Sequence, residues 1–332
     1  MQGFGEALLR ATGLTNEQAT TVAQVLLEGD LMGHSTHGFQ LLATYLKDAD
    51  EGRMTKEGDP EVLSERGAAT LWDGRYLPGP WLVVRAMDNL FERIPRLGIS
   101  SLVIRKCHHI GALAAYMKRA TDRGFACVLA CSDPSVASVA PHGATTGVYT
   151  PNPIAAGYPT AGGPVWIDVS ASTTTNGMVG RLNRIGGKLP GKWLIDESGE
   201  PTDDPAVMAA GRKGAILPLG GKDLGYKGFA LGLLVEALTS GLGGFGRADG
   251  TKRWGASVFL LVLDPEAFGG RAAFERETGW LAEACRAAGA RMPGQRARSL
   301  REEQLRLGVA LHPEILPALK PWADKYGLAL PR

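Results

Sequence analysis

Two kinds of periodicity share this chain, and where each occurs limits the fold more than any other feature. Apolar residues recur at helical spacing at both ends, whereas strand-like runs alternate with helical ones only in the middle. Thr15-Asn16-Glu17-Gln18 has the form of a capping box, and Ala19, Val22, Ala23 and Leu26 then share one helical face. Phe39, Leu42, Leu46 and Ala49 begin a second face that stops near Gly52, and the tail from about residue 271 reads as three helices interrupted by RMPG at 291–294. In between, AATLWDG, ISSLVIRKC, FACVLACS, PVWIDVSAS and SVFLLVLDP read as strands. Pro80 opens one intervening helix, with Val84, Met87, Phe91 and Ile94 on one face, and Leu113, Tyr116, Met117 and Ala120 mark another. FALGLLVEALTSGL is apolar on nearly every side, which predicts a helix deep in the core. Residues 181–228 are rich in turns and predict a long irregular section. The expected organisation is an α/β domain over 67–289 and a helical domain built from 1–66 together with 290–332.

Composition removes several classes of function. A net charge of +2 with scattered basic residues gives no footprint for nucleic acid. The opening MQGFGEALLRATG has no apolar core of a secretory signal, and the apolar run from Gly228 to Gly241 is too short to span a bilayer. The four cysteines, at 107, 127, 131 and 285, form no CxxC spacing, so free thiols in a reducing cytoplasm are expected.

Chemistry concentrates in two short glycine-flanked stretches, which hold four of the six histidines: Gly33-His34-Ser35-Thr36-His37-Gly38 and Cys107-His108-His109-Ile110-Gly111. Three readings are open. Three imidazoles from these stretches could bind a metal, but no carboxylate stands at a familiar ligand spacing and no HExxH occurs. They could be structural histidines satisfied in a core. The reading favoured by the flanking glycines and the helix junction is proton transfer, since imidazole titrates near neutral pH and glycine lets a substrate approach.

Other motifs are weaker. Gly241-Leu242-Gly243-Gly244-Phe245-Gly246 matches G-x-G-x-x-G, but a helix precedes it and a polar segment follows, so it lacks the strand and helix that a dinucleotide fingerprint requires. It is read as a helix stop and loop. Asp168 is either a site carboxylate or a turn cap, and Asn152-Pro153 either a site or a turn. Lys227-Gly228 resembles an anion-contacting helix start, or else a solvated lysine. No G-x-S-x-G supports a serine hydrolase.

Together these pieces resemble the non-Rossmann malate/L-lactate dehydrogenase family, which also includes sulfolactate and ureidoglycolate dehydrogenases, diketogulonate reductase and the cyclic ketimine reductases. The resemblance runs from about residue 5 to 330 through DLMGHSTHG, HHIGALAAY, TPNPIAAGYP, IDVSAS, LPLGG…YKGFALGLLVEAL and RMPGQ, in the family's order. It implies a mixed, largely antiparallel sheet domain that binds NAD or NADP, and a helical substrate and dimer domain made by both termini. The implied acid/base residues are His109, placed first as proton donor, and His37, with Thr36 polarising the substrate. The implied cofactor contacts are Ser132, Asn152, Asp168, Val169, Ser170, Ser172, Lys227, Gly228, Pro293 and Gly294, with no metal. The implied activity is hydride transfer between nicotinamide and C2 of a 2-oxo/2-hydroxy acid in a cytoplasmic homodimer with a small-molecule substrate and no membrane or nucleic-acid partner. The alternatives are a ketimine reductase acting on pyrroline- or piperideine-2-carboxylate, and a non-catalytic protein that binds a nucleotide or small acid.

Three positions depart from the family pattern. Thr36 stands for its serine and keeps the hydroxyl, and Pro151 stands before Asn152 where the family has threonine. Leu41 occupies the place of an arginine that grips a substrate carboxylate by paired charge-assisted hydrogen bonds. Losing such a bond costs about 1.5–3 kcal/mol, so another cation must substitute or the substrate must differ.

Overall fold

A computed structural model describes residues 1–331. The helices, among the described residues, are α1 (Gln2–Ala11), α2 (Asn16–Leu31), α3 (Leu42–Asp50), α4 (Gly79–Leu97), α5 (Ala114–Thr121), α6 (Asn176–Arg184), α7 (Gly221–Glu236), α8 (Arg271–Ala287), α9 (Gln295–Leu307) and α10 (Ile315–Tyr326). The strands are β1 (Glu61–Arg66), β2 (Ala69–Asp73), β3 (Ile99–Cys107), β4 (Ala126–Ser132), β5 (Ile154–Tyr158), β6 (Val165–Val169), β7 (Leu194–Ile195), β8 (Pro201–Thr202), β9 (Ala215–Ile216) and β10 (Ala256–Leu263). One sheet has seven strands in the order β1-β2-β3-β10-β4-β5-β6, and a second has three in the order β8-β7-β9. β1 runs antiparallel to β2, β2 parallel to β3, and β7 antiparallel to both its neighbours, so the architecture is mixed α/β as expected.

Contacts divide the chain into two compact units. The first holds Met1–Leu129, Ala155–Asp168 and Phe259–Arg332, so both termini belong to it together with most of the large sheet. The second holds Ala130–Ile154 and Val169–Val258. In the first unit the Thr15 capping box forms as the sequence predicts, its hydroxyl accepting from the Gln18 amide at 3.2 Å. α2 packs on α1, α4, α5 and α9. Leu8, Leu9, Val22, Leu26, Leu42 and Leu46 are fully buried on these helices, each contributing about 1.5–3 kcal/mol. The second unit has its own core of Val139, Tyr149, Val179, Leu189, Leu194 and Ile216.

Three expectations need correction. The helix carrying FALGLLVE is not deep in the core: Leu231, Leu233 and Leu234 of α7 are 39%, 51% and 49% exposed, and its buried positions are mainly glycines. Gly228 is one of them, because a Cβ there would lie 2.3 Å from the Leu219 nitrogen. Second, α7 begins at Gly221, so Lys227 lies well inside the helix and not at its start. Third, the turn-rich section is not wholly irregular, since it contains α6 and the three-stranded sheet. G-x-G-x-x-G behaves as the sequence predicts: a π-helical turn over Ala237–Gly241 precedes it and only a 3₁₀ turn at Arg247–Asp249 follows.

The end of β3 is positioned by a close backbone approach. His108 N–H donates to the Leu77 carbonyl, and Gly79, at the start of α4, faces the carbonyls of His108 and His109. A Cβ at Gly79 would lie 2.2 and 2.3 Å from those two oxygens. Gly79→Ala is therefore expected to cost about 1–3 kcal/mol through overpacking, measurable by urea unfolding.

Candidate active site

The first histidine stretch is a helix stop followed by a clamped turn. α2 ends in a Schellman arrangement: His34 N–H donates to the Gly29 carbonyl, Gly33 N–H to the Asp30 carbonyl, and Gly33 takes the left-handed φ of 81° that favours glycine. His37 N–H then donates back to the His34 carbonyl at 2.8 Å. Buried Asp30 closes the turn, its Oδ2 accepting from Phe39 N–H at 2.6 Å. Gly38 lies against that carboxyl group so closely that a Cβ would meet it at 2.4 Å. α9 holds the same helix end, with Gln304 Nε2 donating to the carbonyls of Asp30 and Leu31 and Arg301 paired with Glu28.

The second stretch follows β3 directly. Lys106 adopts a φ of 50°, a conformation rare for a residue with a side chain, next to the buried carboxylate of Asp73 that its ammonium meets at 3.1 Å. The two successive histidines then differ in environment. His108 is fully buried, and its Nε2 lies 3.0 Å from Asp48 Oδ2. Burial pushes the Asp48 carboxyl up, but hydrogen bonds from His108 and Arg53 and their charges outweigh it and hold the group below its ordinary value. His109 turns to the other histidine stretch. Its ring stacks on His37 with centroids 5.9 Å apart, and Thr36 Oγ1 lies 2.8 Å from His37 Nδ1.

The tautomer of His109 follows from its contacts. Gly111 N–H donates to His109 Nδ1 at 3.2 Å, and a backbone amide can only donate, so Nδ1 carries a lone pair. The neutral ring therefore bears its proton on Nε2. Burial, followed by the charges of His37 and His108, holds His109 well below the ordinary histidine value. His109, His37 and Thr36 thus lie together.

The first stretch also supplies His34, and the start of α5 supplies Ala114, to a cavity of about 380 Å³ in the first unit, lined further by Met32, Trp166, Asp168 and residues of the RMPGQ segment and α9. Asp168 Oδ2 accepts from Ala114 N–H at 2.8 Å, capping α5. Burial raises its carboxyl, opposed by His34 and that amide. Pro293 and Gly294 line the cavity, and Gly294 is the N-cap of α9, where a Cβ would strike the Trp166 backbone at 2.7 Å. The cavity also adds Arg291 and Arg296, which the sequence reading missed although both lie beside the Pro-Gly it singled out.

The other named residues lie in the second unit and are used differently. Ser132 is buried in a hydroxyl cluster with Thr239 at 2.8 Å and Ser240 at 3.2 Å. Asn152 is fully buried, donating to the Gly232 carbonyl and to Glu236 and accepting from Thr150. Ser172 is buried and donates to the Thr174 carbonyl, whereas Val169 is 43% exposed and Ser170 partly so. Lys227 lies beside the Tyr226 ring. Among the described residues no group of three or more His, Cys, Asp or Glu side chains is placed to hold a metal ion, and no helix is long and apolar enough to cross a membrane. All four cysteines are free.

With this geometry in place, comparison with known proteins identifies the class. The model of the malate/L-lactate dehydrogenase family matches residues 1–320, and the chain belongs to that family of dehydrogenases and reductases. It is similar to a Delta(1)-pyrroline-2-carboxylate reductase of Ancylobacter novellus, 30% identical over 318 residues that cover 91% of this chain and 90% of the relative. It is also similar to a malate/(S)-sulfolactate dehydrogenase of Methanothermus fervidus, 26% identical over 97% of this chain and 95% of that one. Among solved structures, delta1-piperideine-2-carboxylate reductase of Pseudomonas syringae superimposes with a TM-score of 0.84 at 26% identity, covering 97% of each chain.

A histidine held neutral in the fold makes stability depend on pH with a definite sign. Above the unfolded value of 6.5 both states are neutral and His109 has no effect; below it the unfolded chain binds a proton that the native state resists. Asp48 adds to this loss only at lower pH, near its unfolded value of 3.8. The melting temperature is expected to fall as pH drops below 6.5, and His109→Gln should flatten that first limb in calorimetric scans.

Proposed function

We propose that this protein transfers hydride between a nicotinamide cofactor, NAD or NADP, and C2 of a 2-oxo/2-hydroxy acid or the equivalent cyclic imine, with His109 moving the accompanying proton. The observation that carries the reading is the resting tautomer of His109 beside the stacked His37: Nε2 holds the proton, and the Gly111 amide and the Tyr45 hydroxyl meet Nδ1. In the reductive direction the ring, charged by a second proton on Nδ1, gives its Nε2 proton to the substrate oxygen or nitrogen, and the neutral Nδ1–H form left behind is the base that takes it back at Nε2 in the alcohol direction. Thr36, against His37 Nδ1, orients the second ring for substrate binding.

The cofactor supplies the hydride when bound. The cavity lined by Asp168, Pro293 and Gly294 fits part of such a molecule: Met32, Trp166, Met292 and Leu300 give apolar surface, and the guanidinium groups of Arg291 and Arg296 suit phosphate. The helices of 1–66 and 290–332 are assigned the substrate side, and 67–289 most of the cofactor contacts. The same helices of 1–66 and 290–332 are assigned the homodimer interface.

A ketimine reductase is the second reading, favoured by the pyrroline- and piperideine-carboxylate reductases among the relatives. Leu41 ends the 3₁₀ turn Phe39–Leu41 that follows Gly38, and its apolar side chain cannot grip a carboxylate there. The test mixes purified protein with NADH and NADPH separately against 2-oxo acids and cyclic imines and follows loss of the reduced cofactor. Oxidation with at least one substrate is expected, and the preferred substrate separates the two readings. His109→Ala should lower kcat about 10²–10⁴-fold. Cofactor binding with no turnover across the panel would instead mark a non-catalytic binding protein.

A further inference from the structure

Tyr45 is a fully buried tyrosine on α3 whose hydroxyl is shared between two atoms of one residue. It lies 2.8 Å from His109 Nδ1 and 2.8 Å from the His109 carbonyl oxygen, with the two rings at 67°. A phenol has one proton to give and lone pairs to accept with, so this placement admits two hydrogen-bonding states. With His109 neutral, the hydroxyl donates to Nδ1 or to the carbonyl. With His109 charged, Nδ1–H donates to the Tyr45 oxygen and the phenolic proton goes to the carbonyl. Between them the Tyr45 proton changes partner and the Gly111 amide gives up its bond to Nδ1.

We infer that Tyr45 is a positioning residue for His109, accepting the proton that Nδ1 gains in the charged ring, so that the ring can give its Nε2 proton and be left neutral with Nδ1–H held by Tyr45. The inference rests on the acid/base reading of His109 for its catalytic meaning, but the switch itself is a property of the folded protein. The surroundings favour such an acceptor. Gly111 N–H also points at Nδ1 and opposes a proton there. His37 stacks on the ring, His108 adjoins it, and the Asp48 carboxylate that faces His108 is shared with Arg53. Tyr45 also meets His108 edge-on, at 5.0 Å and 89°, which fixes its own ring between the two histidines.

The test compares wild type and Tyr45→Phe with nitrogen-15-labelled histidine. In the folded free protein, NMR reads the tautomer and titration of His109. The charge-assisted bond lost from the imidazolium outweighs the neutral one lost from imidazole, so the His109 titration midpoint should move about one pH unit more acid. With an active substrate, kcat should fall about 10-fold with little change in KM, and the acid limb of the kcat profile should move the same way. A folded Tyr45→Phe whose His109 titrates as in wild type overturns the inference, as a merely structural tyrosine requires. Should that variant not fold, difluorotyrosine at position 45 keeps the ring and hydroxyl but accepts more weakly, and the same acid shift is expected. A shifted His109 in a protein that turns over no substrate supports the switch while refuting the proposed activity.

Discussion

The arrangement of the histidines depends on one buried carboxylate. Asp30 is out of solvent, and a buried carboxylate is tolerated only when its oxygens are hydrogen-bonded. Its side chain takes the Phe39 amide, while its carbonyl takes the Gly33 amide and the Gln304 side chain. The residue thus ties the last turn of α2 to the first residue of the turn that opens α3. α3 carries Tyr45 and Asp48, the partners of His109 and His108. The relation of the second histidine stretch to the first is inherited from that tie.

The two adjacent histidines divide their work. His108 is buried and paired with a carboxylate that is itself paired with an arginine, so its bonding secures the end of β3 against α3. His109 meets an amide and a phenol at Nδ1 and faces another imidazole. A carboxylate partner would stabilise the imidazolium; burial and the neighbouring histidines instead favour the neutral ring. Sequence adjacency therefore conceals opposite electrostatics, set by which side of the strand end each ring takes.

Much of this was legible in the residues. The capping box at Thr15, the full extent of β3 and the break at RMPG are local signals, and the structure follows them. The glycine-flanked histidines were legible as a site because their residue types are scarce and clustered. The missed elements lack such signals. β1 is exposed at nearly every position, so it shows no alternation, and α6 buries only Val179 and Arg181. α7 misled because an apolar helix announces burial without saying against what. Tyr45 could not be singled out, since at helical spacing within an apolar face it reads as core, and only the fold brings its hydroxyl to a residue 64 positions away. Arg291 and Arg296 are two arginines among many in the tail, and only the cavity distinguishes them.

The clamp at Asp30 also makes the histidine turn a ruler. Surface loops ordinarily accept extra residues at little cost, because closure entropy grows slowly with length. Here the segment from Gly33 to Phe39 has both ends fastened to the same residue, by its carbonyl at one end and its carboxylate at the other. An inserted residue would have to bulge outward or release one end, and releasing it would draw α3, and Tyr45 with it, away from His109. An added residue is therefore expected to cost more in this turn than in an ordinary surface loop of the same length.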